Sequence, residues 1–191
     1  MILNLEAINL IWFQSINASA NAPELVVGIA KFFAVYLLYA LPIFFILLWF
    51  FGDETQKEMV LKSIFAIVIS LCVGQFISIL FPHPRPFMVG VGRTLLYHAS
   101  NASFPSHHMI FFSAIPISNF LAKNYKLSMI FFVLSLLVAW ARIYLGVHFP
   151  FDMIGAFLIS LCVALLLESI WKQIRPVFMD FLIAHNKRTQ K

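Results

Sequence analysis

Charge is scarce in this chain. Of 191 residues, 8 are acidic and 13 are Lys or Arg, 11% in all, whereas 62% are hydrophobic and 22 are phenylalanine. No ordinary soluble domain has that balance. Cysteine is nearly absent too. Cys72 and Cys162 each sit inside an apolar run, where small core residues are expected rather than a disulfide or metal pair. His, Cys and Asp nowhere recur at metal-ligand spacing, so the expected chemistry uses no metal and no other cofactor. Residues 1–24 contain no Lys or Arg and so lack the basic start of a secretory signal. Internal repeats and low-complexity tracts are missing as well. The net charge of +5 has no soluble basic face to sit on, which argues against a nucleic-acid partner.

What the chain does have is apolar length. Phe32–Phe51 is a 20-residue uncharged run and Ser63–Phe81 has 19 such residues. Either is long enough to cross a hydrocarbon layer of ~30 Å as a helix. Met109–Ala122, Leu127–Ala141 and Met153–Leu167 are shorter, and they span if their polar flanks lie at the membrane surface or face protein. The expected fold is all-α: a polytopic membrane bundle of about five spans, with residues 1–191 in one membrane-embedded domain. The stretch "LNLEAINLIWFQSIN" has apolar residues at roughly helical spacing. It suits a short helix at the interface or on the bundle, or a sixth, short span.

Basic residues orient such a bundle. With five spans, Lys57, Lys62, Lys123, Lys126, Lys172, Arg175, Lys187, Arg188 and Lys191 all fall on one side, the expected cytoplasmic side. Arg85, Arg93 and Arg142 fall near the other, and Lys31 stays inside the first span. Five of the six histidines share that other side, in the stretches Pro82–His108 and Arg142–Asp152.

Those stretches carry the chemistry. In "FPHPRPF" (81–87) the prolines end a span and restrict the backbone of Arg85. "SFPSHH" (103–108) leads into an apolar helix that Ser103 or Ser106 can cap, and the free N–H groups of its first turn suit an anion. In "RIYLGVHFPFD" (142–152), Arg142 precedes His148 by six residues and Asp152 follows it by four. Pro150 suits the first turn of a helix. His148 then stands just ahead of that helix, with the Asp152 carboxylate close enough to fix one imidazole tautomer and free the other nitrogen as a nucleophile. A His–Asp pair alone is more often structural; an arginine beside it at a membrane exit changes those odds. Arg85 and Arg142 can fork onto phosphoryl oxygens. Ser106 adds a donor, His148 can attack phosphorus, and His108 can protonate the leaving oxygen. The two histidines then need opposite protonation states.

"HPRP" at 83–86, "PSHH" at 105–108 and "RIYLGVHFPFD" resemble the three signature blocks of the phosphatidic acid phosphatase type 2 superfamily. Together with "HPRPF", "SFPS" and "INASANAP" (16–23), the chain is similar to the bacterial undecaprenyl pyrophosphate phosphatase branch over nearly its whole length. The resemblance implies metal-independent hydrolysis of undecaprenyl pyrophosphate to undecaprenyl phosphate and inorganic phosphate through a phosphohistidine. It places this at the outer face of a bacterial inner membrane, in recycling of the cell-wall lipid carrier. The partners it implies are an isoprenoid-tailed lipid and the bilayer, with no obligate protein. His148 would be the nucleophile, Asp152 its orienter and His108 the acid, while Arg85, Ser106 and Arg142 bind the phosphoryl group. Three positions depart from the family pattern. Ser78 stands where a lysine precedes the first arginine by seven residues, His107 replaces glycine or aspartate, and Ala141 replaces serine. His83, Arg93 or His98 could supply the lost charge, Arg93 first; His107 and Arg93 complete the expected substrate-binding set. Competing readings are a phosphatase of phosphatidylglycerol phosphate, phosphatidic acid or lipid A phosphate, a phosphoryl transferase, and an inactive lipid-binding scaffold. A transporter fits less well, because the charged motif residues lie at span ends, not at midplane between repeats.

Overall fold

The computed structural model describes residues 4–189, with side chains through Phe178. Lys191 and the side chains of Lys187 and Arg188, counted above in the basic tail, lie outside the described residues. The helices are α1 (Leu5–Ile16), α2 (Glu24–Phe51), α3 (Glu54–Leu80), α4 (His107–Leu121), α5 (Tyr125–Tyr144) and α6 (Pro150–Thr189). No strand occurs among the described residues.

Helix α1 starts where the Asn4 side chain accepts from Glu6 N at 3.1 Å. Its 12 residues are too few to span, and it packs on the bundle through Asn9 and Phe13, both buried. Helix α2 begins eight residues before the apolar run Phe32–Phe51, so Lys31 lies well inside it, on its exposed side. Directly after Lys31, Phe32–Tyr36 winds as a π-helix. Asp53 and Gln56 close a reciprocal capping box at the start of α3, with bonds of 2.8 and 2.9 Å.

Helices α2, α3, α5 and the part of α6 up to Phe178 are long and apolar enough to cross a membrane. Helix α4 differs. Its 15 residues rise about 22 Å, less than a bilayer core. It is instead the hub of the bundle: Met109, Ile110 and every residue from Phe112 to Asn119 are buried, against α3, α5 and α6. Ser113 donates to Met109 O at 2.7 Å and contacts Ser160 on α6 at 2.9 Å, the kind of small polar link that holds helices in lipid. Outward faces carry Tyr39, Phe50, Phe76, Ile79 and Leu166. The expectation for cysteine fails here, since Cys72 and Cys162 are both exposed on outward faces of α3 and α6. An apolar run in a membrane helix does not distinguish lipid from core, and a thiol suits either.

Short turns at 52–53 and 122–124 reverse the chain at one end of the bundle, so the segments 81–106 and 145–149 share the other. Beneath that end, Phe13, Ile110, Ile143, Phe149 and Met153 form one apolar cluster, with the Phe13 and Phe149 rings 5.1 Å apart. Gly146 turns the chain out of α5 at φ 78°, and a Cβ there would lie 2.2 Å from the Arg93 carbonyl oxygen. At Gly155 a Cβ would lie 2.2 Å from the Phe104 ring, so the absence of a side chain lets segment 103–106 settle directly on α6.

Candidate active site

His148 occupies the three-residue bridge between that glycine turn and α6. Val147 and Phe149 on either side are 0% and 5% exposed, and His148 itself is 2% exposed. Pro150 opens α6, which brings Asp152 into the first turn. His148 Nδ1 lies 3.2 Å from Asp152 Oδ2. That oxygen also accepts the Phe149 N–H at 2.7 Å and the Ser103 hydroxyl. An oxygen that only accepts assigns the imidazole proton to Nδ1 and leaves a lone pair on Nε2. Ser103 Oγ is 3.3 Å from the same Nδ1, so hydroxyl and carboxylate together grip one side of the ring.

Arg85 holds the other side. Its Nη1 stands 3.0 Å from His148 Nε2 and donates to Val147 O at 2.9 Å. Nε donates to Asn101 Oδ1 and Nη2 to Ala102 O, each at 3.0 Å. Burial pulls the Arg85 guanidinium down to about 10, with the Asp152 charge opposing, so it stays cationic at neutral pH. His148 is held well below the ordinary imidazole value, first by burial and then by Arg142, Arg85 and His98. A neutral ring is the form a nucleophile needs.

Arg142, at the last turn of α5, is 2% exposed. Its Nη1 makes a 3.4 Å contact with Ala34 O, a carbonyl of the π-wound segment in α2. Its Nε and Nη2 are buried with no partner among the described residues. Each such orphan donor costs about 1–3 kcal/mol in a folded chain, a cost that a bound oxyanion would relieve. Ser106 caps α4, accepting from Met109 N at 3.4 Å, and its own N–H donates to Asp152 O at 3.2 Å. His107 and His108 open α4, both half-buried, and His107 Nε2 has no partner among the described residues. Burial, and then Arg142, His148, His98 and His107, hold His108 well below the ordinary imidazole value. The expectation that the two histidines rest in opposite protonation states is therefore not met: both are neutral. The His98 ring stands edge-on to His148 with centroids 6.0 Å apart.

The structure therefore gathers Arg85, Ser106, Arg142, His148 and Asp152, with His107 and His108 at the mouth of α4. Arg93 is elsewhere. Its guanidinium donates to Ser19 O at 2.7 Å and Ala20 O at 2.9 Å, because Asn17 ties the loop to the N-terminal segment through Arg93 N (2.7 Å) and Arg93 O (2.9 Å). His83 pairs with Glu6 at 3.1 Å in a cleft of about 560 Å³ between α1 and the ends of α3 and α6. Ser78 donates to Phe104 O at 2.8 Å and so braces the loop without adding charge. Sequence reasoning took Ser103 for an alternative helix cap and passed over Asn101. Neither position carries a local signal for its role, since both contacts are made across the fold.

Relatives of known name bear on this geometry. YbjG of Escherichia coli (strain K12) is 34% identical over 168 residues, which are 88% of this chain and 85% of the relative. The undecaprenyl-diphosphatase BcrC of Bacillus subtilis (strain 168) is 28% identical over 171 residues, 90% of this chain and 88% of its own. The crystal structure of Aquifex aeolicus LpxE superposes with a TM-score of 0.64 at 27% identity, covering 87% of this chain and 98% of that one. The PAP2-type phosphatidylglycerolphosphate phosphatase of Bacillus subtilis has the same fold, with a TM-score of 0.64 at 21% identity over 90% of this chain and 88% of that one. The family model of the PAP2 superfamily matches residues 59–176, from α3 through the His148–Asp152 pair and into α6, and the chain belongs to that superfamily.

Proposed function

We propose that this protein is a metal-independent phosphatase of a membrane lipid diphosphate, undecaprenyl pyrophosphate, working through a phosphohistidine. One observation carries the reading: a buried guanidinium, Arg142, with two nitrogens unpartnered among the described residues, within electrostatic reach of a His148 whose far nitrogen is held by Asp152. His148 Nε2 attacks the distal phosphorus, and the bond from phosphorus to the bridging oxygen breaks. His108, which takes up a proton as the anionic headgroup enters among these cations, gives that proton to the bridging oxygen, and undecaprenyl phosphate leaves. Water, deprotonated by His108, then attacks the phosphohistidine, releasing inorganic phosphate and restoring Nε2. Arg85 and Arg142 carry the phosphoryl charge throughout, so the charge neutralisation that a metal supplies elsewhere comes here from guanidinium groups. Asp152 stabilises the cationic ring of the intermediate. Residues 1–191 would serve this as one membrane-embedded domain, with no protein partner required.

The relative named undecaprenyl-diphosphatase supports the choice of lipid. Orientation is supported by Lys57, Lys62, Lys123, Lys126, Lys172 and Arg175, which all lie at the bundle end opposite His148. The active site would then face the outside of a bacterial inner membrane. The test is phosphate release by purified protein in detergent, across a lipid panel, beside His148→Ala. The expected result is release from undecaprenyl pyrophosphate that His148→Ala abolishes. Unchanged release by the variant would overturn the enzyme reading, and faster hydrolysis of diacylglycerol phosphates would overturn the lipid assignment.

A further inference from the structure

We propose that His98 is a substrate-binding residue that takes up a proton as the anion enters, giving the site a further cation beside the two guanidinium groups. The inference rests on the phosphoryl-binding reading above. Loop 92–98 is pinned over the site: Leu95 N donates to Leu145 O at 3.0 Å, and Arg93 is tied to Asn17 on both its N–H and its carbonyl. The His98 ring reaches from that loop to within 6.0 Å of the nucleophile's ring.

Its tautomer is set locally. Nδ1 lies 3.1 Å from Ala99 O, a pure acceptor, so Nδ1 carries the proton. Neutral His98 then has only a lone pair on Nε2, which has no protein partner among the described residues. Oxyanions accept hydrogen bonds and repel a lone pair. Contact with one therefore requires the imidazolium. The groups facing His98 are Arg85 from its own connection, Arg142 from α5, His107 and His108 from α4, and His148. None is an anion, and the Asp152 carboxylate is occupied by Ser103, His148 and Phe149. Burial, then Arg85, Arg142 and His107, keep His98 neutral, near a pKa of about 4. A dianion among those same groups reverses the sign of the local field and draws the proton on. Neither Arg93 nor His83 is placed to serve, since Ser19, Ala20 and Glu6 occupy them.

The experiment is calorimetric titration of the full chain in detergent with tungstate, an oxyanion that stays dianionic through the neutral range. Buffers of different ionisation heat report the protons taken up. Wild type is expected to take up about one proton more per anion than His98→Gln, and its Kd to rise with pH more steeply, by up to about tenfold per pH unit. His98→Gln should also raise KM for the lipid diphosphate while kcat moves less than about threefold. Thermal unfolding checks that the variant is folded, and His98→Asn replaces it if it is not. Equal proton uptake by wild type and variant overturns the proposal, even if affinity falls. Uptake of less than about half a proton by wild type overturns it without any variant. Tungstate binding that Arg142→Gln leaves untouched would sink the phosphate-site reading itself, a separate failure.

Discussion

Asp152→Asn isolates the charge that the mechanism assigns to Asp152. Its Oδ2 accepts from Ser103, His148 and Phe149. An amide oxygen at that position keeps all three hydrogen bonds and removes only the negative charge. As phosphorus bonds to Nε2 the ring becomes cationic, 3.2 Å from the carboxylate. At that separation a unit charge pair is worth about 5 kcal/mol with an effective dielectric of about 20. A neutral amide oxygen retains about 1–2 kcal/mol of this as an ordinary hydrogen bond to a cation. The difference, about 3–4 kcal/mol, corresponds to a fall in kcat of about 10²–10³. KM should stay within about threefold, because the carboxylate faces the ring and not the phosphate. Initial rates of phosphate release over a range of lipid concentration in detergent measure both. A variant with kcat within about fivefold of wild type would refute the role given to Asp152.

Three further outcomes follow from the same geometry. Arg142→Met removes a buried cation with two unpaired nitrogens, so the variant should lose phosphatase activity yet unfold at a higher temperature, by about 1–3 kcal/mol of stability; a lower Tm would show that Arg142 is structurally satisfied. His148 and His98 are held below their ordinary values, so the unfolded chain binds more protons as acid is added and stability falls below about pH 6.5. A Tm flat or rising from about pH 7 to about pH 5 contradicts this, as does an acid limb of kcat/KM, corrected for substrate ionisation, that lies above about 6.5. At the far end of the bundle, buried Lys62 pairs with partly exposed Glu168 across α3 and α6. Glu168→Gln should cost about 1–2 kcal/mol in thermal unfolding and leave kcat/KM within about twofold; a large loss of activity would mean that the two ends are coupled.

The helices were legible because lipid demands length: the run Phe32–Phe51 lies within α2, and Ser63–Phe81 lies within α3 but for its last residue, which caps the helix. Their N-terminal extensions were not, since Glu24 and Lys31 bound the apolar stretch before the first run, and the polar start of α3 is held helical by the Asp53–Gln56 capping box. Helix α4 runs between the same two ends of the bundle in only 15 residues, and its apolar side chains face protein, a difference from lipid-facing helices that composition does not reveal. The His148–Asp152 spacing was readable because both lie within a few residues of a helix start that proline marks. Ser103, Asn101 and His98 were harder: they meet His148, Asp152 or Arg85 only through a 26-residue loop whose path depends on tertiary contacts. Arg93 had the right charge and the right side, but Asn17, 76 residues earlier, sets where its backbone lies.

The most direct test of the account is to trap the covalent intermediate. The protein is mixed with lipid diphosphate labelled in its distal phosphate, quenched in alkali within a turnover, digested and mapped. A phosphohistidine at His148 gives label that is stable to alkali, labile to acid, located on the peptide containing His148, and absent from His148→Ala. Turnover in which no label reaches the protein, or label on a residue other than His148, would contradict it.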